Sequence, residues 1–382
     1  VEQTLITLSL LSAVMSAGVG LAFGMTLRRL GRLSAAVGCH QDHPLISVIV
    51  PARNEAHDLE RAVRSILVQR SVRVQVIIVN DHSSDRTGEI ADTLAAENGQ
   101  VIVLHDPPLA AGWLGKTNAM QQGLVAATAA MIVFTDADVI HAPGCFAAAI
   151  REMRNRDIHL LSLCPRFQFE SFWENVLLPH AMIAGTVQFL MQRVNDADSD
   201  SAAAAGAFIL TSTEVLDRIG GLACIRAEML DDVALAIAVK RQGFATKIYL
   251  APELLSVRLF KGNWHAFWGL TKNILGAVKQ LWMAVPAMFL PIFVYWVPIV
   301  TWLVGLDRSK PGMIVAGVVP YVVQAALLPL ILPLARIRWA KAMFFPLAAL
   351  PVICCLSRAL YHRCVSGGVA WRGRVIPLSK TR

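Results

Sequence analysis

Three pairs of carboxylates offer chemistry in this sequence: Asp81 with Asp85, Asp136 with Asp138, and Asp231 with Asp232. The middle pair is the sharpest. An apolar run from Met131 to Phe134 reads as a buried strand and stops at Asp136-Ala137-Asp138. Aspartates are poor sheet formers and costly to bury unpaired. In open α/β sheets, ligands bind outside the carboxyl ends of the strands. Two carboxylates one residue apart at such a place suit a hard cation that also grips substrate phosphates. An ordinary aspartate-rich turn is the bland alternative. Asp231 and Asp232 open a helix, where the dipole favours carboxylates without any function. If the three pairs converge on one crevice, they repel one another unless a cation or a base role relieves the charge. A divalent ion bridging a diphosphate would do so, leaving one carboxylate as general base. His141, three residues after Asp138, is a further candidate ligand.

The elements that must position these residues alternate. Ile46 to Val50 reads as a strand stopped by Pro51, and Glu55 to Gln69 has helical apolar spacing. Val74 to Val79 is a strand ending in Asn80-Asp81-His82-Ser83-Ser84-Asp85, and Thr87 to Ala96 a helix. Val101 to Leu104 is a strand, Gly112 to Lys116 a loop, and Thr117 to Ala127 a helix leading into the strand before Asp136. Such alternation predicts βαβ units in a mostly parallel sheet with right-handed crossovers. The glycine fingerprint of dinucleotide enzymes is missing after the first strand, and no Walker loop is present. Further on, Phe172 to Gln192 reads as an apolar stretch interrupted by Pro179 and His180, an amphipathic helix for an interface. Ala207 to Leu210 and Lys247 to Leu250 are further strands, and a helix runs from the Asp231 pair to about Lys240.

The 382 residues are 55% hydrophobic, with a mean hydropathy of +0.53, above the roughly 45–50% of soluble domains. A membrane part accounts for the excess. Thr4 to Leu27 is long enough to span, and Arg28, Arg29 and Arg32 follow it, so residues 1–32 read as an uncleaved anchor. The positive-inside rule puts the following domain, 44–262, in the cytoplasm. Residues 263–280 mix tryptophan and lysine as an interfacial helix does. Residues 281–360 hold two spans, Leu281 to Leu306 and Gly312 to Leu334, and a short segment, Ala342 to Leu356, broken by prolines and read as interfacial or re-entrant. Residues 361–382 form a basic tail, placed inside by its charge. A multi-pass protein of the inner (plasma) membrane is expected. The net charge of +8 fits such a chain. No basic stripe with interleaved aromatics suggests nucleic acid, seven scattered cysteines without a C-x-x-C pair argue against zinc and disulfides, and almost no charge lies within the spans to mark a transport pathway.

Five motifs occur in order: P-A-R-N-E (Pro51 to Glu55), V-N-D-H-S-S-D (Val79 to Asp85), G-K-T-N-A (Gly115 to Ala119), T-D-A-D (Thr135 to Asp138) and L-D-D (Leu230 to Asp232). Together they resemble glycosyltransferase family 2, and are most similar to membrane-bound members that glycosylate lipids, the hopanoid-associated, carotenoid and ceramide glucosyltransferase-like groups. The resemblance covers about Ile46 to Phe260; Gly269-x-x-Lys272-Asn273 and the terminal W-R-G-R also look like that group. It implies an α/β GT-A fold, Rossmann-like, beside transmembrane helices. It implies that Pro51, Ala52, Arg53, Glu55 and Asp81 hold the nucleotide base and ribose, with Asp85 as a further residue binding the nucleotide sugar. Lys116 would offset phosphate charge, and Asp136 and Asp138 would bind ribose, metal (Mg2+ or Mn2+) and diphosphate. Asp232 would be the base that activates the acceptor, with Asp231 beside it. The expected reaction is inverting transfer of one sugar from a UDP-sugar to a lipid acceptor. The Q-x-x-R-W motif of polymer synthases is absent; Val257 to Trp264 reads V-R-L-F-K-G-N-W instead. Transfer to a polyprenyl phosphate, polysaccharide synthesis and a non-catalytic membrane scaffold are the alternatives.

Overall fold

The computed structural model describes residues 1–35, 43–188, 193–264, 266–267, 269–271, 289–362, 365, 368–371 and 374–377. The chain divides into two compact units. One comprises Leu27–Phe167 and Leu190–Leu259, the other Val1–Thr26, Gln168–Phe189 and Phe260–Arg382.

The first unit is built on β1 (Leu45–Ala52), α2 (Leu59–Leu67), β2 (Arg73–Asn80), α3 (Thr87–Glu97), β3 (Val101–His105), α4 (Gly115–Ala126), β4 (Met131–Phe134), β5 (Val139–His141), α5 (Cys145–Asn155), β6 (Leu160–Cys164), β7 (Arg166–Gln168), β8 (Ile209–Ser212), α7 (Thr213–Arg218), α8 (Asp231–Arg241), β9 (Thr246–Leu250) and β10 (Leu255–Val257); α1 (Glu2–Leu30) leads into it. A seven-stranded sheet runs in the order β3-β2-β1-β4-β8-β6-β9. All neighbours are parallel except β8, which is antiparallel to both β4 and β6. The strands are apolar on both faces because helices cover both: Ile46, Val48, Ile49 and Val50 of β1 and Val76 to Val79 of β2 are all buried. A small second sheet pairs β5 antiparallel with β10, and β10 in parallel with β7.

Two boundaries depart from the sequence pattern. The helix expected from Glu55 begins at Leu59; the amides of Glu55 and Ala56 before it donate to the Thr87 hydroxyl and the Asp85 carboxylate. The helix expected from Thr117 begins at Gly115, so Lys116 lies in its first turn rather than in a loop.

In the second unit, α6 (Phe172–Gln188) runs through Pro179 without interruption. Glu174, Asn175, Val176, Leu177, Leu178 and Ile183 on it are buried, so it is a packed helix rather than one lying with a face in an interface. The Glu174 carboxylate accepts from the amides of Glu170 (2.7 Å) and Gly262 (2.8 Å). Among the described residues, three helices are long and apolar enough to cross a membrane: Glu2–Leu30, Phe289–Asp307 and Pro311–Ile331. The short segment forms a helix, Phe345–Tyr361, below that length. Ser9 donates to Thr301 (2.8 Å), and Gln324 to Ser16 (3.3 Å) and the Val294 carbonyl (2.9 Å). Glu2 pairs with Arg308 (3.4 Å) and Lys310 (3.8 Å). A Cβ on Gly317 would meet the Trp302 amide nitrogen at 2.5 Å and the Pro298 carbonyl at 2.6 Å, so only glycine lets these backbones approach so closely. Most of the expected interfacial stretch, with Lys272 and Asn273, and Arg372 of the tail lie outside the described residues.

Candidate active site

The acidic residues gather where β1, β2 and β4 end. The strands are parallel and in register, Ala52 opposite Asn80 and Ile49 opposite Phe134, so the loops that follow them share one edge. Arg53 donates to the Asp81 carbonyl at 2.7 Å and stands 3.7 Å from its carboxylate. His82 contacts the other Asp81 oxygen at 3.1 Å. The backbone turns there through positive φ at Asn54 (54°), His82 (55°) and Asp106 (45°). Such a conformation is costly for residues with a side chain, and side-chain bonds hold it: the Asn54 amide donates to Ser83 (3.0 Å), its side-chain oxygen accepts from the Ser84 amide (2.8 Å), and the His82 amide donates to Asp106 (2.9 Å). Pro51 and Ala52 end β1, and the Ala52 carbonyl accepts from the Asp81 amide (2.8 Å). Glu55 is buried.

Asp85 has a structural task. Its carboxylate accepts from the Thr87 amide (3.0 Å), the Thr87 hydroxyl and the Ala56 amide (3.2 Å). Burial alone would raise its pKa, but these bonds hold it below the ordinary value. It ties the loop after β1 to the start of α3.

The second cluster lies at the seam between β4 and β8. Lys116 Nζ is 2.8 Å from Asp136 Oδ1 and 3.2 Å from Asp231 Oδ2. Burial by itself would lower the lysine's pKa, but Asp136, Asp231 and Asp232 hold it well above its usual value. The Gly206 amide donates to Asp232 Oδ2 (3.0 Å) and the Val233 amide to Oδ1 (2.8 Å). Each oxygen of Asp232 therefore has one fixed donor and a remaining lone pair. Burial, then the Asp231 carboxylate, push Asp232 up to about 6, against the pull of Lys116. It is ionised at neutral pH yet more basic than a surface carboxylate, as a general base requires. Asp138, half-buried, sits two residues beyond Asp136 in the turn between β4 and β5.

A family model, Glycosyl transferase family 2, matches residues 47–231. The chain carries a family 2 glycosyltransferase domain. It is 26% identical over 278 residues to the 4,4'-diaponeurosporenoate glycosyltransferase of Staphylococcus aureus strain MRSA252, covering 71% of this chain and 69% of that relative. Against the protein of the same name from strain USA300 it is 26% identical over 239 residues, 61% of each chain. Among solved structures, the mannosyltransferase PcManGT from Pyrobaculum calidifontis, in complex with GDP-Man and Mn2+, aligns with a TM-score of 0.57 at 19% identity, covering 94% of this chain and 99% of that one. The glycosyltransferase domain has the GT-A fold, a mixed α/β sheet with mostly parallel strands.

Within this glycosyltransferase, the expected residues fall into two groups. Pro51, Ala52, Arg53, Asp81 and Asp85 surround the ends of β1 and β2; Lys116, Asp136, Asp231 and Asp232 meet at the β4–β8 seam. His141 does not join either. It is buried between Phe146 and Phe208, 3.2 Å from the Thr135 hydroxyl, and burial pushes it down to about 3. It is a core histidine rather than a metal ligand, because β5 turns its side chain inward. Gly206 belongs to the site and has no sequence signal of its own beyond a run of small residues, Ala202 to Ala207.

Proposed function

We propose that this enzyme transfers a single sugar, with inversion, from a UDP-sugar to a lipid acceptor at the cytoplasmic face of a membrane. The observation that carries the reading is the Lys116–Asp136–Asp231–Asp232 cluster, in which one carboxylate is fixed by two backbone amides and made basic. In this reading Asp232 takes the proton of an acceptor hydroxyl as its oxygen attacks the anomeric carbon. The bond to the nucleoside diphosphate breaks on the opposite side in one displacement. Arg53 and Asp81 bind the base and ribose, with Pro51, Ala52 and Glu55 shaping that wall, and Lys116 offsets phosphate charge.

The donor set fits a hard divalent ion. Among the described residues no three His, Cys, Asp or Glu side chains form a protein-only metal cage. Mg2+ and Mn2+ in nucleotide sites take one or two carboxylates and complete their shell with phosphates and water. Asp136 and Asp138 would supply those carboxylates, and the ion would act as a Lewis acid on the leaving diphosphate. The solved mannosyltransferase is described with GDP-Man and Mn2+, which supports a nucleotide sugar and a divalent metal. The relatives named for diaponeurosporenoate and the three apolar helices support a lipid-type acceptor. Arg28, Arg29 and Arg32 after the first helix support the cytoplasmic side.

The test is to offer UDP-glucose, UDP-N-acetylglucosamine and GDP-mannose with Mn2+ or Mg2+ to native membranes, extract the lipids and measure their masses. A single hexose or N-acetylhexosamine increment, lost in Asp232→Asn, is expected. A ladder of increments would replace the reading with polymer synthesis; no product from any donor would replace it with a scaffold.

A further inference from the structure

The backbone of Gly206 does two things. Its amide donates to Asp232 Oδ2 at 3.0 Å, and its carbonyl accepts from the Asp136 amide at 3.2 Å. One residue's backbone thus sits between the donor-side carboxylate and the base. The residues on each side are held from the core. The Ala205 amide donates to the Ser162 hydroxyl at 2.8 Å. The Ala207 carbonyl accepts from the Thr135 hydroxyl at 2.7 Å. Ser162 and Thr135 are both buried. Thr135 has one proton, and it goes to Ala207, so His141 at 3.2 Å must donate from Nε2. The core histidine backs the threonine that holds the segment.

Gly206 leaves little room for a side chain. An added Cβ would lie 3.0 Å from Asp136 Oδ2 and 3.2 Å from Lys116 Nζ. Its φ lies outside the left-handed region, so space rather than backbone conformation demands glycine. Both atoms are ends of side chains, and alanine would displace them without disturbing the sheet.

We propose that Ala205–Ala207 is a rigid strut that sets the position of Asp232 relative to Asp136, with Gly206, Ser162 and Thr135 as positioning residues for sugar transfer. This rests on the reading of Asp232 as the base. Ser162 and Thr135 work at a distance, through the backbone, and touch no substrate. Their buried hydroxyls have β6 and the end of β4 as anchors, and a base displaced by about 1 Å loses on the order of 10² in rate.

The test uses the full chain in native membranes with Mn2+ and the three donors UDP-glucose, UDP-N-acetylglucosamine and GDP-mannose. Gly206→Ala, Ser162→Ala, Thr135→Val and Thr135→Ser are compared alone, and the Ser162 and Thr135 variants also in combination with Asp232→Asn. Ser162→Ala and Thr135→Val should lower kcat by about 10-fold with donor KM changed less than about 3-fold, and Gly206→Ala, which also moves Asp136 and Lys116, should lower kcat by about 10²-fold with donor KM raised. Thr135→Ser, which keeps the hydroxyl, should restore kcat. Ser162→Ala and Thr135→Val should not slow Asp232→Asn further, because each acts through that carboxylate; Gly206→Ala also displaces Asp136 and Lys116 and is read alone. Ordinary kcat in Gly206→Ala and Thr135→Val, further loss when Ser162→Ala or Thr135→Val is added to Asp232→Asn, or failure of Thr135→Ser to rescue would each overturn the strut. If Gly206→Ala does not fold, the threonine pair decides. Ordinary turnover in Asp232→Asn would instead remove the base, and the strut with it. A slow Asp232→Asn beside fast strut variants would remove the strut alone.

Discussion

At the scale of residues, Asp232 concentrates the consequences. Asp232→Asn keeps the shape and one oxygen but cannot accept a proton, so turnover should fall by ~10²–10⁴ while the affinity for UDP stays near that of the parent. Single-turnover rates and UDP titration check both halves. The pH dependence follows from the direction of its shift. Asp232 is pushed up to about 6, and only the ionised form is a base. kcat/KM should therefore be level above that pH and fall about tenfold per unit below it. A profile that is flat down to pH 5 would show that another group accepts the proton. The acidic pairs themselves are legible in the sequence, because an abrupt change from apolar to carboxylate is a local signal. His141 is misleading for the same reason. Its spacing from Asp138 suggests a ligand, but the three-residue strand β5 and its pairing with β10 decide which way it faces. Asp85 too reads as a ligand, and only the positions of Thr87 and Ala56 show that its oxygens are occupied.

At the scale of elements, the βαβ alternation is legible because the strands are uniformly apolar and the helices keep their 3.6-residue stripe; α2 buries Leu59, Ala62, Val63 and Ile66 on one side. The placement of β8 is not legible. Nothing local in Ile209–Ser212 says that it runs antiparallel between β4 and β6, and the Gly206 contacts depend on that arrangement. Nor does the sequence of α6 show that it continues through Pro179, since proline there argues for a break. The two apolar helices Phe289–Asp307 and Pro311–Ile331 are legible by length alone, while their close approach is not. Gly317→Leu should force their backbones apart and weaken the pair, because small residues at such contacts allow the packing that holds helices together in lipid. Thermal unfolding in detergent should shift downward well beyond the change for Gly312→Leu in the same helix, whose Cβ would meet nothing. Equal shifts would mean the contact contributes little.

At the scale of the whole molecule, the ion pairs of Glu2 with Arg308 and Lys310 place the first helix's start beside the short turn at 308–310. If Arg28, Arg29 and Arg32 lie on the cytoplasmic side, as proposed above, that turn should face the opposite side. In a chain whose native cysteines are replaced, Ser309→Cys should react with an impermeant maleimide on intact cells and Arg32→Cys only after permeabilisation; the reverse pattern would invert the topology. The antiparallel β8 has a separate consequence for how the protein is made. Ribosomes release β4 and β6 first, yet the strand that lies between them comes later. The chain leaves the glycosyltransferase unit at Phe167 and returns at Leu190, so the second unit's segment is synthesised while the sheet still has an empty slot. Domains fold largely in the order of synthesis, and non-local strand pairing is slow. The seam where Asp136, Gly206 and Asp232 meet is therefore completed late, and a nascent chain cannot act on sugar nucleotides until Ile209–Ser212 has been inserted and α8 has followed.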